Sequence, residues 1–525
     1  MAERDPAQEA ARPDAALSEA KRRLLAARLQ GTQPAAAAQR IAARAPGEAP
    51  AATPLQAAMH VLAGLAAEPA AYNIHTAISL EGRLDADLLA RAVEALVRRH
   101  ESLRTSFQQA DARLQLRIGE ERSGDLLRAD YADRSDPAAA IEAAAVELAR
   151  RPFDLSDPPL WRSALLRAAP DRHVLVLVFH HIVCDERSLS LLLDDLLEHY
   201  GLLLEGRELL PGPERDYPDF ALWLRDELTA GRTAHLDYWR ERLDGVDTDS
   251  ALPTDFPRPR RSSGRGALVE RAVGPAVATA IGALARDQGA SDYMVLLAAF
   301  QCLLGRYIGS DDLVVGTPVS LRGPRPSDRM VGLFINPLPL RATIDRRCDF
   351  NAHLAATREH LLADLAHRAL PFDELVADMA PQRDPGRNPV FQVMFVLETE
   401  PDPAAPPGLS ATLQRYDTGT AKLDLTVFAR LRPDGLRLTA EYSTDLFERT
   451  TIETLLAAYE TVLRSVTAAP ARSLAGVSLI DEHERAAWLD DARGPALDLG
   501  GSPSVARQLA AAANACPDSE AAVSY

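Results

Sequence analysis

The stretch His173-Val-Leu-Val-Leu-Val-Phe-His-His-Ile-Val-Cys-Asp-Glu186 places a dense polar cluster directly after an apolar run. Residues 173–179 are apolar at almost every position, which is typical of a strand that is buried on both faces within a sheet. The leucine-rich stretch from about 188 to 206 predicts a helix. A strand, a polar turn and a helix in succession favour an α/β fold.

The polar cluster contains the candidate functional residues His180, His181 and Asp185. Successive strand residues point to opposite faces, so the two histidines cannot both address the same cleft. Asp185 lies in the turn before the helix, where a carboxylate bonds backbone N–H groups or pairs with an arginine. The residues alone leave three interpretations open. They are packed polar side chains, a metal site without a second ligand cluster to complete it, and a general base.

Helices and strands alternate on both sides of this stretch. The patterns predict helices near 85–99, 275–288, 291–307, 350–366 and 450–468, and strands near 103–107, 312–317 and 390–397. A segment rich in Pro, Arg, Ser and Asp at 247–266 predicts a linker between two lobes. We therefore expect a leader with a short helix at 1–50, lobes at 51–250 and 267–470, an inter-lobe linker at 251–266, and a tail at 471–525.

Composition excludes several classes of protein. The chain has 525 residues, 47% of them hydrophobic and 25% charged, which indicates a folded protein of more than one lobe. The net charge of −17 argues against unspecific binding to nucleic acid or to an anionic membrane. Neither a signal sequence nor a membrane span is evident. The four cysteines are far apart, which favours a reducing cytoplasm over a disulfide framework. The only lysines are Lys21 and Lys422.

Several further segments give the chain a family resemblance. His180, His181 and Asp185 match the H-H-x-x-x-D-G signature of the condensation domains of nonribosomal peptide synthetases, within the chloramphenicol-acetyltransferase-like superfamily, although Glu186 stands in place of the glycine. The other matching segments follow in the family's order: TPLQ at 53–56, RHESLRTSF at 99–107, YPDFALW at 217–223, VGLFIN at 331–336, LPFDE at 370–374 and RDPGRNP at 383–389. The resemblance covers about residues 50–470.

The resemblance implies a fold and a reaction. It implies two acetyltransferase-like α/β lobes, arranged as a V-shaped pseudo-dimer with a central tunnel. The implied reaction joins a donor acyl or peptidyl thioester on one carrier protein to the amine of an aminoacyl group on another, with both substrates on phosphopantetheine arms and no cofactor or metal bound by the chain itself. Residues 471–525 resemble a linker and the start of an adenylation domain. The implied partners are therefore two carrier proteins, the adenylation domain and, through the helix at 18–30, an upstream synthetase.

The resemblance also assigns roles. His181 is the expected catalytic residue, which removes the proton of the amine or orients it. His180 and Asp185 are expected to be structural, with Arg322 as the partner of Asp185, and Asn336 is expected near the tunnel. Glutamate at 186 is expected to resist the turn that glycine permits.

Three alternative functions remain beside amide formation. They are a docking platform without catalysis, condensation coupled to further chemistry such as dehydration, and an acyltransferase that uses coenzyme A thioesters. His100 and Glu101 are interpreted as a structural network, and Tyr217, Phe220 and Trp223 as core.

Overall fold

The structure is a computed structural model. It describes residues 40–517 except 46–49, 111–112, 121–124, 249–250, 324–325, 380–383, 385, 399–403 and 494–503. The chain divides into two compact units, Met1–Val477 and Ser478–Tyr525. The helix expected at 18–30 lies outside the described residues.

The first sheet of the larger unit has five strands in the order β11-β1-β6-β5-β4. Its strands are β1 (Asn73–Gly82), β4 (Leu126–Asp130), β5 (Trp161–Ala169), β6 (Arg172–His180) and β11 (Leu409–Gln414). The central strand β6 is buried from His173 to His180, as its apolar run predicts. The edge strand β11 comes from the second half of the chain and pairs antiparallel with β1, from Ala77 opposite Gln414 to Gly82 opposite Leu409.

Gly82 is required where β1 and β11 begin their pairing. Its φ is +125°, and a Cβ built there would lie 2.3 Å from the carbonyl oxygen of Gly408. A residue with a side chain would meet both backbone strain and a backbone clash at this position.

Helices cover the first sheet. They are α2 (Ala86–Arg99), α3 (Pro137–Arg150) and α4 (Glu186–Leu204), whereas α1 (Pro54–Leu65) contributes Leu55 to a separate cluster with Tyr217 and Phe334. Leu89, Val93 and Leu96 recur along one face of α2 at helical spacing, and this face packs in one core cluster with the leucines of α4 and with Leu175 and Phe179 of β6. The strand end that carries the two histidines is therefore held between a sheet and a helix layer.

The second sheet has six strands in the order β7-β13-β12-β10-β8-β9. Its strands are β7 (Gly266–Val273), β8 (Asp312–Ser320), β9 (Ile335–Thr343), β10 (Val393–Glu398), β12 (Leu425–Arg432) and β13 (Gly435–Ser443). Its helices are α6 (Pro275–Asp287), α7 (Asp292–Ile308), α8 (Phe350–Ala366), α9 (Phe372–Met379) and α10 (Arg449–Ala468). Helix α7 is buried on every side from Met294 to Gly305, which makes it the centre of this lobe. A separate hairpin joins β2 (Thr105–Ala110) and β3 (Arg113–Ile118).

Helix α5 (Tyr217–Arg242) belongs to the first half of the sequence but packs against the second half. Tyr217 and Phe220 at its start share a buried cluster with Met330 and Phe334. Near its end, Tyr238 donates a hydrogen bond to Asp364 of α8 at 2.6 Å. Together with β11, this helix ties the two halves together across the boundary expected near 251–266.

The smaller unit contains α11 (Glu482–Arg493) and α12 (Val505–Ala515), and neither helix buries a side chain. Among the described residues, no helix combines the length and apolar character that a bilayer span requires.

Candidate active site

The polar cluster forms a tight turn between β6 and α4. His181 begins a short 3-10 turn, His181–Val183, and its backbone N–H donates to the carbonyl oxygen of Tyr72 at 2.8 Å. The side chain of His181 is only partly buried. Its Nδ1 lies 2.8 Å from the carbonyl oxygen of Cys184. Because a carbonyl oxygen only accepts, Nδ1 carries the proton, and Nε2 of the neutral ring keeps its lone pair.

Burial and charge keep the His181 ring neutral. The pKa of His181 falls to about 4, mainly because burial removes water from the ring and secondly because the ammonium of Lys422 lies nearby. The bond to Cys184 and the carboxylate of Asp185 oppose this shift. At neutral pH the ring can therefore accept a proton at Nε2, which is the requirement for a general base.

His180 is a buried structural residue. It is 2% exposed, and its Nδ1 accepts a hydrogen bond from the backbone N–H of Ile182 at 3.1 Å. The ring also meets Phe153 edge-on. Burial, and then the neighbouring His181, lowers the pKa of His180 to about 3. One histidine is thus packed while the other is partly exposed, as the alternation of side chains along the strand indicates.

Asp185 joins the two halves of the molecule. It is fully buried at the N-cap of α4, where its side chain accepts from the backbone N–H of Ser188 at 2.7 Å. Arg322 donates from Nη1 to Oδ2 of Asp185 at 2.9 Å, which is the pair expected from the sequence. The backbone N–H of Phe334 also donates to Oδ2, at 3.1 Å, and the guanidinium of Arg322 lies 3.8 Å from the centre of the Phe334 ring.

Gly332 permits the close packing of the two halves of the molecule at Asp185. Its carbonyl oxygen accepts from the backbone N–H of Asp185 at 3.1 Å. A Cβ at position 332 would lie 1.9 Å from the Tyr217 ring, so the ring can pack only against a glycine. The hydroxyl of Tyr217 donates to the carbonyl oxygen of Leu333 at 2.6 Å. Gln56 supports the other side, where its Nε2 donates to the carbonyl oxygen of Ile182 at 3.1 Å.

Other motif residues form the network and core expected of them. His100 is fully buried, and its Nε2 lies 2.8 Å from Oδ2 of Asp195, which also accepts from Arg99 at 2.7 Å. Tyr217 and Phe220 are buried in the core. These contacts are structural.

Glu186 does not occupy the strained turn expected for it. It is the first residue of α4, a right-handed helix, and therefore needs no positive φ. Acidic residues are favoured in the first turn of a helix because they face the positive end of the helix dipole. The Glu186 side chain is exposed and lines the cavity described below. Burial lowers the pKa of Arg415, which also lines the cavity, but Glu398 and then Glu186 raise it above its ordinary value.

Asn336 is fully buried and has a scaffold role. Its Nδ2 donates to the carbonyl oxygens of Arg368 at 2.9 Å and Leu370 at 2.6 Å, and its Oδ1 accepts from the backbone N–H of Phe372 at 3.0 Å. These three bonds occupy the amide, and Asn336 is not part of the cavity wall. It positions the turn that leads into α9.

A cavity of about 550 Å³ lies between the start of α4 and the second sheet. His75 and Thr76 of β1 line it on one side and Phe428 and Glu441 on the other. His181 itself is not in this wall. Ten of its lining residues carry charged side chains: Glu186, Glu270, Glu398, Arg415, Asp417, Arg430, Arg432, Asp434, Arg437 and Glu441. Across the described part of the chain, no group of three or more His, Cys, Asp or Glu side chains could hold a metal ion.

Sequence reasoning missed two features of this site. Ser188 completes the cap of α4, and its position three residues after an N-cap aspartate is a signal that could have revealed it. Lys422, whose charge acts on both His180 and His181, lies more than 200 residues away in the chain and carries no local motif.

Replacing His180 by alanine is expected to lower the free energy of unfolding by about 1–3 kcal/mol at pH 7.5, because the N–H of Ile182 loses its partner. The unfolded histidine binds a proton below pH 6.5, whereas the folded one does so only near pH 3, so its contribution falls as the pH falls. At pH 5 the loss is therefore expected to shrink by about 2 kcal/mol.

Urea unfolding at both pH values measures this change. His483→Ala, on the exposed side of α11, is the control and should leave the larger unit unaffected. An equal loss at pH 7.5 and pH 5 would show that burial does not keep His180 neutral.

Comparisons with known proteins identify the family of the chain. The sequence model of the condensation domain family matches residues 48–489. Tyrocidine synthase 3 from Brevibacillus parabrevis is 35% identical over 432 residues, which are 82% of this chain and 6% of that protein. Surfactin synthase subunit 1 from Bacillus subtilis (strain 168) is 34% identical over 420 residues, 80% of this chain and 11% of that protein. The chain thus spans only a small part of the curated relatives it matches.

Solved structures share the fold. A four-domain nonribosomal peptide synthetase bound to AMP and glycine superposes with a TM-score of 0.78 at 22% identity, over 88% of this chain and 36% of that one. The X-domain from teicoplanin biosynthesis gives a TM-score of 0.73 at 26% identity, over 84% of this chain and all of that one. The α/β fold of two acetyltransferase-like lobes expected from the sequence is therefore confirmed. The chain belongs to the condensation domain family of the nonribosomal peptide synthetases.

Proposed function

We propose that this domain forms an amide bond between a carrier-bound acyl or peptidyl thioester and the amine of a carrier-bound aminoacyl group. The observation that carries the proposal is the His181 ring, which is partly exposed, neutral, and fixed by Cys184 with Nε2 as its proton acceptor. A thioester is already activated, so the domain has to align the amine and take its proton. Family membership supports the same reaction.

The remaining site residues are assigned supporting roles. The ion pair of Asp185 and Arg322 fixes the turn that carries His181, and the buried side chain of His180 packs within the protein. We propose that the chain binds no cofactor of its own and that its partners are two carrier proteins, an adenylation domain and an upstream synthetase. The proposed compartment is the cytoplasm, and Cys184, Cys302, Cys348 and Cys516 are free thiols in the structure.

Reconstitution with two carrier proteins tests this function. One carrier is loaded with a donor acyl group and the other with an aminoacyl group, and intact-mass analysis follows the acceptor carrier. The expected result is a mass gain equal to the donor acyl group that depends on the domain. A further loss of one water from the product mass would indicate coupled dehydration. Turnover of a free coenzyme A thioester with a free amine, without any carrier, would contradict the proposed reaction.

A docking platform is a second candidate, because a relative of similar fold, the teicoplanin X-domain, has been solved in a complex with OxyB. The two candidates differ in one result. A platform would bind loaded carriers without forming an amide, whereas the proposed enzyme forms the product within the bound complex.

A further inference from the structure

The charged cavity begins beside the turn that carries His181. Four residues at helical spacing on one face of α4 line it: Glu186, Leu189, Ser190 and Leu193. In the first sheet, Asn73 of β1 pairs with His180, and His75, two residues further along β1, lines the cavity. Two residues of a strand span about 7 Å. A substrate chain that fills the cavity would therefore have its reacting end within reach of the imidazole of His181.

The volume of the cavity indicates which of the two substrates it accommodates. At about 550 Å³ it falls within the range of about 300–1,000 Å³ that is usual for small-molecule sites. The acceptor aminoacyl group is a single residue. The donor is the substrate whose chain extends beyond the reacting carbonyl carbon, either as methylene groups or as amide-linked residues. The donor chain is therefore the occupant that fits the cavity.

Ion pairs within the cavity wall fix its charged side chains. The carboxylate of Glu398, which is 7% exposed, pairs with Arg415 and, at 3.0 Å, with Arg430. On the neighbouring strands β7 and β13, Glu270 and Arg437 pair at 3.4 Å. The wall is therefore a preformed set of charged, hydrogen-bonding groups.

Few of the lining residues suit an alkyl chain. Of those that the structure describes, five have purely apolar side chains: Leu189, Leu193, Leu268, Leu413 and Phe428. Six others are serine or threonine: Thr76, Ser190, Thr412, Thr418, Thr420 and Thr439. Sites for apolar ligands are lined predominantly by hydrophobic and aromatic side chains, and a polar group that loses water without gaining a hydrogen bond is costly to bury. An alkyl chain would remove water from the charged side chains, whereas the amide groups of a peptide would replace that water with hydrogen bonds.

We propose that the donor of this domain is a peptidyl chain, whose amide groups bind the charged and hydroxyl side chains of the cavity, and that an alkyl acyl chain is a poor donor. This inference rests on the proposed function and narrows it from acyl or peptidyl donors to peptidyl donors. Amide N–H groups donate to the carboxylates of the wall, and amide carbonyl oxygens accept from its guanidinium groups. The preference comes from the cavity and not from His181, because the reacting thioester is the same in both kinds of donor.

A pair of matched donors tests this inference. Octanoyl and acetyl-glycyl-glycyl groups have chains of equal length without side chains, and they differ in the two amide groups of the peptide. Each group is loaded on the donor carrier, and single-turnover rates are measured with the same aminoacyl acceptor carrier. We expect the wild type to join acetyl-glycyl-glycyl at least about tenfold faster, because a hydrogen-bonding site rejects a ligand that leaves its polar groups unpaired. An octanoyl rate equal to or above the peptidyl rate would overturn the inference.

A double variant of the cavity wall locates the preference. Glu186→Leu/Arg415→Leu removes one negative and one positive charge from the wall, so the net charge of the wall is unchanged. Glu398 retains Arg430 as its partner in this variant. The two donors should then react at similar rates. A preference as large as that of the wild type would show that the cavity does not select the donor.

The matched control removes the same two residue types elsewhere. Glu205 and Arg207 form an exposed ion pair of 2.9 Å at the end of α4, outside the cavity wall. Glu205→Leu/Arg207→Leu should keep the preference of the wild type. Thermal melting checks the fold of both double variants. If the cavity variant does not fold, Glu186→Leu alone takes its place, because Glu186 is exposed, and it should lower the preference in the same direction.

A binding measurement separates failure of this inference from failure of the proposed function. If the wild type forms no amide with either donor, the proposed function fails. Calorimetric titration with stable pantetheine analogues of both groups, in which an amide replaces the thioester, then decides the inference. Tighter binding of the acetyl-glycyl-glycyl analogue, lost in the cavity variant, supports the peptidyl preference. Equal or tighter binding of the octanoyl analogue contradicts it.

Discussion

Replacing His181 by alanine is expected to slow amide formation by about 10²- to 10⁴-fold, the usual contribution of a positioned general base. The physical reason is the loss of Nε2, the only ring nitrogen that is left to accept a proton once Nδ1 is bound to the carbonyl oxygen of Cys184. The fold should survive, because the ring is partly exposed and its hydrogen bond to Cys184 lies within the same turn. Quenched single-turnover reactions followed by intact-mass analysis measure the rate, and thermal melting checks the fold.

Two variants sharpen this experiment. His181→Asn keeps an N–H donor within reach of Cys184 but provides no basic nitrogen, so it should be as slow as the alanine variant. His75→Ala removes another imidazole from the same region, one that lines the cavity and whose Nε2 lies 3.1 Å from the carbonyl oxygen of Tyr416. Its rate should fall by less than about tenfold. Wild-type rates for His181→Ala would rule out a catalytic imidazole and favour the docking platform.

Replacing Asp185 by alanine is expected to lower the free energy of unfolding by about 3–5 kcal/mol, which is the cost of removing one partner of a buried ion pair. Arg322 would keep its charge in a site where only 9% of its side chain is exposed, and the N–H groups of Ser188 and Phe334 would lose their acceptor. Urea unfolding at pH 7.5 measures the change.

Two control variants distinguish the stability lost with the helix cap from the stability lost with the ion pair. Asp136→Ala removes an exposed N-cap aspartate from α3, whose side chain accepts from Ala139, and should cost only about 1 kcal/mol. Adding Arg322→Met to Asp185→Ala removes the stranded charge and should recover part of the loss. A melting temperature unaffected by Asp185→Ala, together with lost activity, would assign Asp185 to the chemistry and not to the scaffold.

The hydrophobic pattern of the sequence predicted the helices and strands whose formation depends on neighbouring residues. The apolar run at 173–179 lies in β6, and the periodic stretch at 350–366 forms α8 over the same residues. The pairing of Asp185 with Arg322 was expected from the family resemblance, and it agrees with the need of a buried carboxylate for a cation. These features depend on neighbouring residues or on the cost of burying one charge.

Long-range contacts escaped sequence reasoning. Strand β11 pairs with β1 although more than 320 residues separate them, and the six-residue strand carries no pattern that names its partner. The sequence also did not reveal that three backbone groups within 368–372 occupy the amide of Asn336. Glutamate at 186 looked unfavourable by comparison with glycine, whereas the start of α4 accepts it. The first two cases depend on residues that are distant in the chain, and the third depends on the residue at which α4 begins.

The strand exchange limits how such a domain could be divided or recombined. A fragment that stopped at the inter-lobe linker would leave the hydrogen-bonding edge of β1 from Ala77 to Gly82 without its neighbour. An open strand edge promotes aggregation by pairing with other chains. When the two halves of different synthetases are recombined, residues 409–414 should therefore come from the same synthetase as β1, because insoluble chimaeras are otherwise expected.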